Sequence, residues 1–534
     1  MEGFARKAAE AARRTLTARI GCGFEQGWDR FYRAPLTRFC RVMKSPSDLV
    51  TFPRKGASVR FSLIAFIFLC ARPLFGQLAP APPEEAGADR YGEPVSAGCT
   101  SPHTYAGDAF EEALSGDGGG LEWTVGAHIR YRFMDEVNRL RPAGTNHSNY
   151  NQWRVAPHLN LGNDNFDVYV QAIDASIFGE DIPALPIDEN RSDLLQYYGD
   201  IKLDGLGLND TRLRVGRQFL KYGSEHLVSP LAWATTFRNF EGARLYRTTD
   251  DWKIDGFVTR PVNGAAGNSF RPNSLDNPDQ SAWFSGVYAT WKKAPKGVMD
   301  FYWLWLDEDE PTANRHNGNR HTIGVRYAGK TQQNERDETA LTTFWDTEGA
   351  WQFGDDAFQS GGVNQNVSAG FVSVLAGVTL DSAPWKPTIK GIFWWGSGDS
   401  DPNDGDINTL TTLFPLGHAH WGLIDNFSGS NLLDYSLQAS IQPADSITLL
   451  AAWHHFDKAN KSDYIYNIAG APLGVLNGSG RIGNELDLIA TWKASEQTSI
   501  QLGYSWFWYG GAVNQTALAR DDAHQFYTMA SWTF

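Results

Sequence analysis

Between Leu121 and Phe133 the chain alternates without a break. Leu121, Trp123, Val125, Ala127, Ile129, Tyr131 and Phe133 fall on one face, and Glu122, Thr124, Gly126, His128, Arg130 and Arg132 on the other. Neighbouring side chains of an extended strand point to opposite sides, so a period of two predicts a β-strand with one apolar and one polar face. The pattern returns many times. Trp283, Val287, Ala289 and Trp291 share a face, as do Leu486, Leu488, Ala490 and Trp492, and again Ile500, Leu502, Tyr504, Trp506 and Trp508. The opposite face carries small polar or glycine residues where a dry core would require large apolar ones. Strands this long, apolar on one side only, fit a transmembrane antiparallel β-barrel, because in lipid no sheet edge can stay open.

The links between strands alternate in length. Short ones fall near 161–165, 204–210, 248–251, 292–297, 381–387, 443–446 and 494–498. Long polar ones fall near 134–149, 176–194, 219–239, 261–280, 307–319, 399–431, 457–481 and 511–523. Short periplasmic turns and long outer loops are the rule for such barrels, although the link near 329–340 is longer than its class. Counting between links predicts about eighteen strands, the first near 121–133 and the last at 524–534. That last strand, with Phe526, Thr528, Ala530, Trp532 and Phe534 on one face, ends the chain on an aromatic residue, a form of ending that suits recognition by the barrel assembly machinery.

Composition sharpens this picture. Of 534 residues 42% are hydrophobic, 20% are charged and 13% aromatic, with 20 Trp, and mean hydropathy is -0.38. A bundle of membrane-spanning helices would be far more apolar, and a disordered chain far poorer in aromatics. The net charge of -14 is an average over unlike parts: residues 1–76 hold 14 Lys and Arg against 5 Asp and Glu, leaving 33 against 56 beyond them. Of the four cysteines only Cys99 lies beyond residue 76, which excludes a disulfide within the remainder.

Residues 1–76 read as a leader. Arg54, Lys55 and Arg60 followed by the apolar run Phe61 to Leu69 give a signal peptide over 54–76, too short to span a bilayer. Residues 1–42 read as an over-extended start with Met43 as the expected first residue; the alternative for residues 1–16 is a basic amphipathic helix. Residues 77–118, rich in Pro, Ala, Gly and Glu, are expected to be a flexible linker, and 119–534 the barrel.

No catalytic constellation stands out. The acidic stretches 307–320 and 396–406 lack the spacing of a calcium loop, so solvated outer loops are expected, with Ca2+ as the alternative. His454–His455 and the pair His418 and His420 have no third ligand at a defined spacing, and no metal, cofactor or nucleic-acid partner is assigned. Arginines carry more information. Alternation puts Arg130, Arg132, Arg212, Arg214, Arg244 and Arg326 on polar faces, with Arg154 expected to join them. A ladder of inward guanidiniums would draw an anion through a pore; alternatively they pair with neighbouring Asp and Glu, such as Glu122 and Asp255, and brace the wall. Both can hold together.

The stretch 211–246 carries a distinctive set of motifs: RxGRQ at Arg214 to Gln218, YGSEHLVSP after it, and F-[DE]-G-x-R at Phe240 to Arg244. HTIGVRYAG at 321–329, GSGDSDPNDGD leading to LFPLGHAHWGLID at 413–425, and the strands of 482–511 continue it. Over 119–534 the chain resembles the alginate export family of outer-membrane barrels. The resemblance implies an eighteen-stranded monomeric barrel with an electropositive pore that loops can gate, passing an anionic polyuronate in contact with a periplasmic export complex. By motif it carries Arg214, Arg217, Arg238 and Arg244 over as pore residues. Arg217 shares its strand face with Val215, on the lipid side, unless a bulge shifts the register. The family's usual Asp is Glu241 here. The expected location is the Gram-negative outer membrane, among lipid and lipopolysaccharide. The leading expectation is a channel for an anionic polysaccharide or smaller anionic sugars. A general or cation-preferring porin is the alternative, and a secreted all-β carbohydrate-binding protein or enzyme is the alternative of another class.

Overall fold

The computed structural model describes residues 121–140, 146–181, 183–263, 275–309, 318–332, 340–356 and 365–534. The expected leader and linker lie outside the described residues. Eighteen strands form the wall: β1 (Glu122–Val137), β2 (His147–Asn163), β3 (Phe166–Phe178), β4 (Asn190–Lys202), β5 (Thr211–Gln218), β6 (Phe240–Thr248), β7 (Trp252–Asn263), β8 (Ala282–Trp291) and β9 (Gly297–Glu308). They continue with β10 (Gly318–Gln332), β11 (Leu341–Asp356), β12 (Gln365–Leu380), β13 (Thr388–Gly396), β14 (Leu432–Ala444), β15 (Ile447–Lys458), β16 (Arg481–Lys493), β17 (Thr498–Tyr509) and β18 (Ala523–Thr533).

Each wall strand pairs antiparallel with the next, and β18 pairs with β1 from Val137 opposite His524 to His128 opposite Thr533, so the sheet closes. Phe534 completes the seam: its backbone N–H donates to Ala127 O at 2.9 Å, and its carbonyl accepts from Ala127 N at 3.3 Å. Closure leaves no wall edge exposed, as a hydrocarbon surround demands. The alternation read from sequence governs the two faces. Trp153, Val215, Leu245, Trp303, Leu437 and Leu488 lie exposed on the outside, whereas Arg130, Gln152, Asp200, Asp255 and Glu485 are buried toward the lumen. An outer surface this apolar is stable against lipid and not against water.

Close packing across the ladders needs room in places. An added Cβ at Gly503 on β17 would lie 2.0 Å from the ring of Tyr527 on β18, so the aromatic side chain fills the space the glycine vacates.

The lumen departs from the expectation of a polar inner face. In the half nearer the long connections it is filled by a dry core. Phe257, Phe284, Phe371, Trp394, Phe456 and Phe507 from the wall pack with Leu220, Tyr222, Leu227, Val228, Trp421 and Ile424 from two connections. Those connections, 219–239 between β5 and β6 and 397–431 between β13 and β14, fold inward instead of forming outer loops. They meet in a short parallel bridge between Val228 and Phe414, with Ser229 N donating to Phe414 O at 2.8 Å and Phe414 N donating to Leu227 O at 2.9 Å. The physical reason is that both segments carry large apolar side chains, which gain more from burial than an outer loop would allow. Nearer the short turns the lumen stays polar, with Asp200, Asp255 and Asp300 buried on the inner wall.

Candidate functional site

Three arginines of β1 and β2 hold the inward connection from the wall side. Arg130 donates through Nη1 to Ala232 O at 2.9 Å and through Nη2 to Trp233 O at 2.9 Å and Ala234 O at 2.6 Å. Arg154, directly opposite Arg130 on the ladder, donates through Nη1 to Ala232 O at 3.1 Å and Ala234 O at 2.9 Å. Arg132 donates to Trp233 O at 2.9 Å and, from Nε and Nη2, to Gln152 Oε1 at 2.9 and 2.7 Å. Its guanidinium lies 4.2 Å from the centre of the Trp233 ring, which also stacks on His418 at 3.6 Å and meets Tyr527 edge-on at 5.2 Å. Strand pairing sets Arg130 opposite Arg154 and Arg132 two positions further along β1, so their fork-shaped donors converge on three successive carbonyls of the plug that the two inward connections form. Hydrogen bonds from a charged donor contribute about 1.5–3 kcal/mol each, which makes this a strong clamp.

Arg238 lies on the plug itself, where Nη1 donates to Pro415 O at 3.1 Å and Ser229 O at 3.4 Å, tying the two connections together.

A second group lines the wall nearer the short turns. Arg212 pairs with Asp200 and with Asp167, and Arg214 donates from Nε to Asp200 Oδ2 at 2.9 Å. Arg244 donates from Nε to Asp255 Oδ1 at 2.6 Å. Arg214 sits directly opposite Arg244 on the β5–β6 ladder. Its guanidinium also lies 4.0 Å from the ring centre of Tyr198 and 5.6 Å from that of Tyr246. Farther round, Arg326 bonds Asp300 Oδ2 at 2.8 Å, Asp346 Oδ1 at 2.9 Å and Ser224 Oγ of the plug at 2.8 Å.

Arg217 is not part of the wall belt. No register shift occurs in either ladder of β5, so the bulge that would bring it to the lumen is absent. It is nonetheless buried, enclosed by Glu241 Oε2 at 3.1 Å, Leu194 O at 3.0 Å and Asp276 O at 2.7 Å. It therefore ties β5 and β6 to the connection before β8 and is corrected from a pore residue to a structural anchor.

The structure adds contacts that alternation did not single out. His226 of the plug bonds Glu348 Oε2 at 2.7 Å, with Ser373 Oγ at 3.4 Å from its other ring nitrogen. Ile424 N donates to Glu485 Oε1 at 2.9 Å. Gly422, at φ +85°, passes so close that a Cβ there would lie 2.4 Å from the Glu485 carboxylate. The available signal was the apolar density of 219–239 and 410–427, too high for solvated loops.

The histidine pairs are split among different partners: His418 with Asp425 at 3.0 Å, His454 with Asp434 at 2.9 Å and His455 with Asp457 at 3.2 Å. Of the acidic stretches, 310–317 lies outside the described residues. In 396–406, Asp399, Asp401 and Asp404 each accept from a backbone N–H two residues on, which shapes the loop. Among the described residues no three His, Cys, Asp or Glu are arranged to hold a metal ion.

The family model described as Alginate export matches residues 122–525. No curated protein sequence matches the chain. Among solved structures the fold is similar to that of Pseudomonas aeruginosa OpdK with vanillate, at 8% identity and a TM-score of 0.53 over 77% of this chain and 98% of that one. It is also similar to Pseudomonas aeruginosa OccK2 (OpdF) and OccK9 (OpdG), each at 10% identity and a TM-score of 0.51 with the same coverage. At such identities the structures attest the barrel alone.

Proposed function

The chain belongs to the alginate export family, and from that membership we infer that this outer-membrane channel passes an anionic carbohydrate by diffusion, with no covalent step and no cofactor. The opposition of Arg214 and Arg244 carries the reading. Like charges directly across a ladder destabilise a sheet, so wall bracing alone gives no reason to place two guanidiniums there. Arg212 and Arg214 share Asp200, and the side chain of Arg214 keeps 18% exposure toward the lumen. A planar carboxylate of a uronate fits such a cluster through paired N–H donors.

The plug sets the order of events. A wall belt on the short-turn side gathers the anion, and the inward connections stand between it and the other mouth.

The test is the reversal potential of the purified full chain in planar bilayers under a salt gradient, with and without oligouronate. Anion preference and block by the oligouronate support the reading. Cation preference without block supports a general porin, in which the ion pairs serve the wall alone.

A further inference from the structure

Outside the lumen, the membrane-facing wall of β14–β18 has a hollow of about 510 Å3. Its floor is made of methyl-sized side chains. Ala439 stands opposite Ala451 on the β14–β15 ladder, and Ala490 stands opposite Leu449 and Leu502 on its two ladders. Leu449, Leu488 and Leu502 border the hollow and are exposed, whereas Asp487, Thr491 and Gln501 on the same strands turn inward and are buried. The depression therefore opens to lipid and not to the pore.

Its height in the membrane follows from the register. Trp492, two positions beyond Ala490, is 48% exposed, as suits an aromatic residue at a membrane interface. Lys493 N then donates to Ser446 O at 2.8 Å, which sets the end of β16 against the β14–β15 turn. The short-turn rim next to the hollow thus offers Lys493 as a cation and Asp445 and Glu496 as anions, all exposed.

We propose that this hollow binds one acyl chain of a zwitterionic, amine-bearing phospholipid from the leaflet on the short-turn side, with its phosphate at Lys493 and its ammonium at Asp445 or Glu496. The volume falls within the roughly 300–1,000 Å3 of small-molecule sites, and the lining is mainly apolar, with Ser440 and Tyr504 as its polar members. A second barrel is a poorer occupant, because a stable protein contact needs a continuous face of about 800 Å2 per partner and a concave floor of alanines offers none. Mixed charge at the rim favours a headgroup carrying both signs over a purely anionic one.

Native mass spectrometry of the detergent-purified full chain, titrated with palmitoyl-oleoyl phosphatidylethanolamine, tests this directly. One lipid should remain bound, and phosphatidylglycerol should bind more weakly. Filling the floor with Ala439→Leu, Ala451→Leu and Ala490→Leu should cut occupancy by at least about tenfold, since each lost methylene contact weakens binding. Heat-modifiable gel migration shows whether that variant still closes its barrel, and Lys493→Ala, which leaves the floor untouched, should erase the preference between the two lipids. Equal lipid retention in wild type and filled variant overturns the proposal. So does disulfide-linked dimer formation by Leu437→Cys in native membranes, which would assign the face to a second copy.

Discussion

Arg214 faces Arg244 residue for residue across the β5–β6 ladder, and each guanidinium turns to a carboxylate of its other neighbour, Asp200 on β4 and Asp255 on β7. Two charges of one sign are thus held together by two of the other, one strand away on each side. Replacing both arginines by alanine takes from Asp255 its arginine and leaves Asp200 with Arg212 only, so the wall loses two positive charges. Reversal-potential measurements should then show selectivity moving several-fold toward cations. Unchanged selectivity would mean that the belt does no more than brace the wall.

The clamp on the plug yields a different signature. Arg130→Ala combined with Arg154→Ala removes their bonds to Ala232, Trp233 and Ala234, each contributing about 1.5–3 kcal/mol, and leaves Arg132 on Trp233 O. The plug should leave the lumen more often, so single-channel conductance and open time should rise while heat-modifiable migration is kept. A closed, quiet channel in the double variant would show that the dry core and the remaining contacts, Arg132 to Trp233 among them, suffice to hold the plug.

Gly503→Ala tests the closing wall. The new Cβ meets the ring of Tyr527, and overpacking of this kind costs about 1–3 kcal/mol. The temperature at which the folded gel band is lost should fall, with selectivity unaltered. Tyr527→Ala in the same chain relieves the clash but opens a void, so it should not restore full stability.

The connection before β8 should respond to pH. Burial, and then the nearby Asp193 carboxylate, push Asp276 from its ordinary 3.8 up to about 6. Its Oδ2 accepts from Asn190 Nδ2 at 3.0 Å, while its own N–H donates to Asp193. Between 3.8 and about 6 the docked connection keeps a proton that the undocked one releases, so docking weakens as pH rises through that window. Protection of the amides over 275–281, taken relative to the intrinsic exchange rate at each pH, should be higher at pH 5 than at pH 7.5. Asp276→Asn should flatten the difference.

Much of this molecule is legible from residue order. The alternation that starts at Leu121 runs through β1 from Glu122 to Phe133, and the aromatic ending at Phe534 joins the seam with Ala127. A period of two survives in lipid because each wall residue answers to its own side of a single sheet, so the sequence carries the face of every residue locally. The same locality assigns Arg212, Arg214, Arg244 and Arg326 to the lumen.

The partners of those arginines are another matter. Asp167 and Arg212 are 45 residues apart, and alternation says nothing of such distances. Arg130, Arg132 and Arg154 looked like members of one ladder, yet they grip the plug through carbonyls contributed 78 to 104 residues later. Arg217 kept the strand face that alternation gave it, but a connection from beyond β7 covers it.

The sequence by itself determined the barrel, its eighteen strands and the face of each wall side chain, because those depend on neighbours along one strand. Only the tertiary structure decided that 219–239 and 397–431 turn inward. Their burial depends on aromatic side chains gathered from both connections and from strands around the wall, a sum that no local pattern contains.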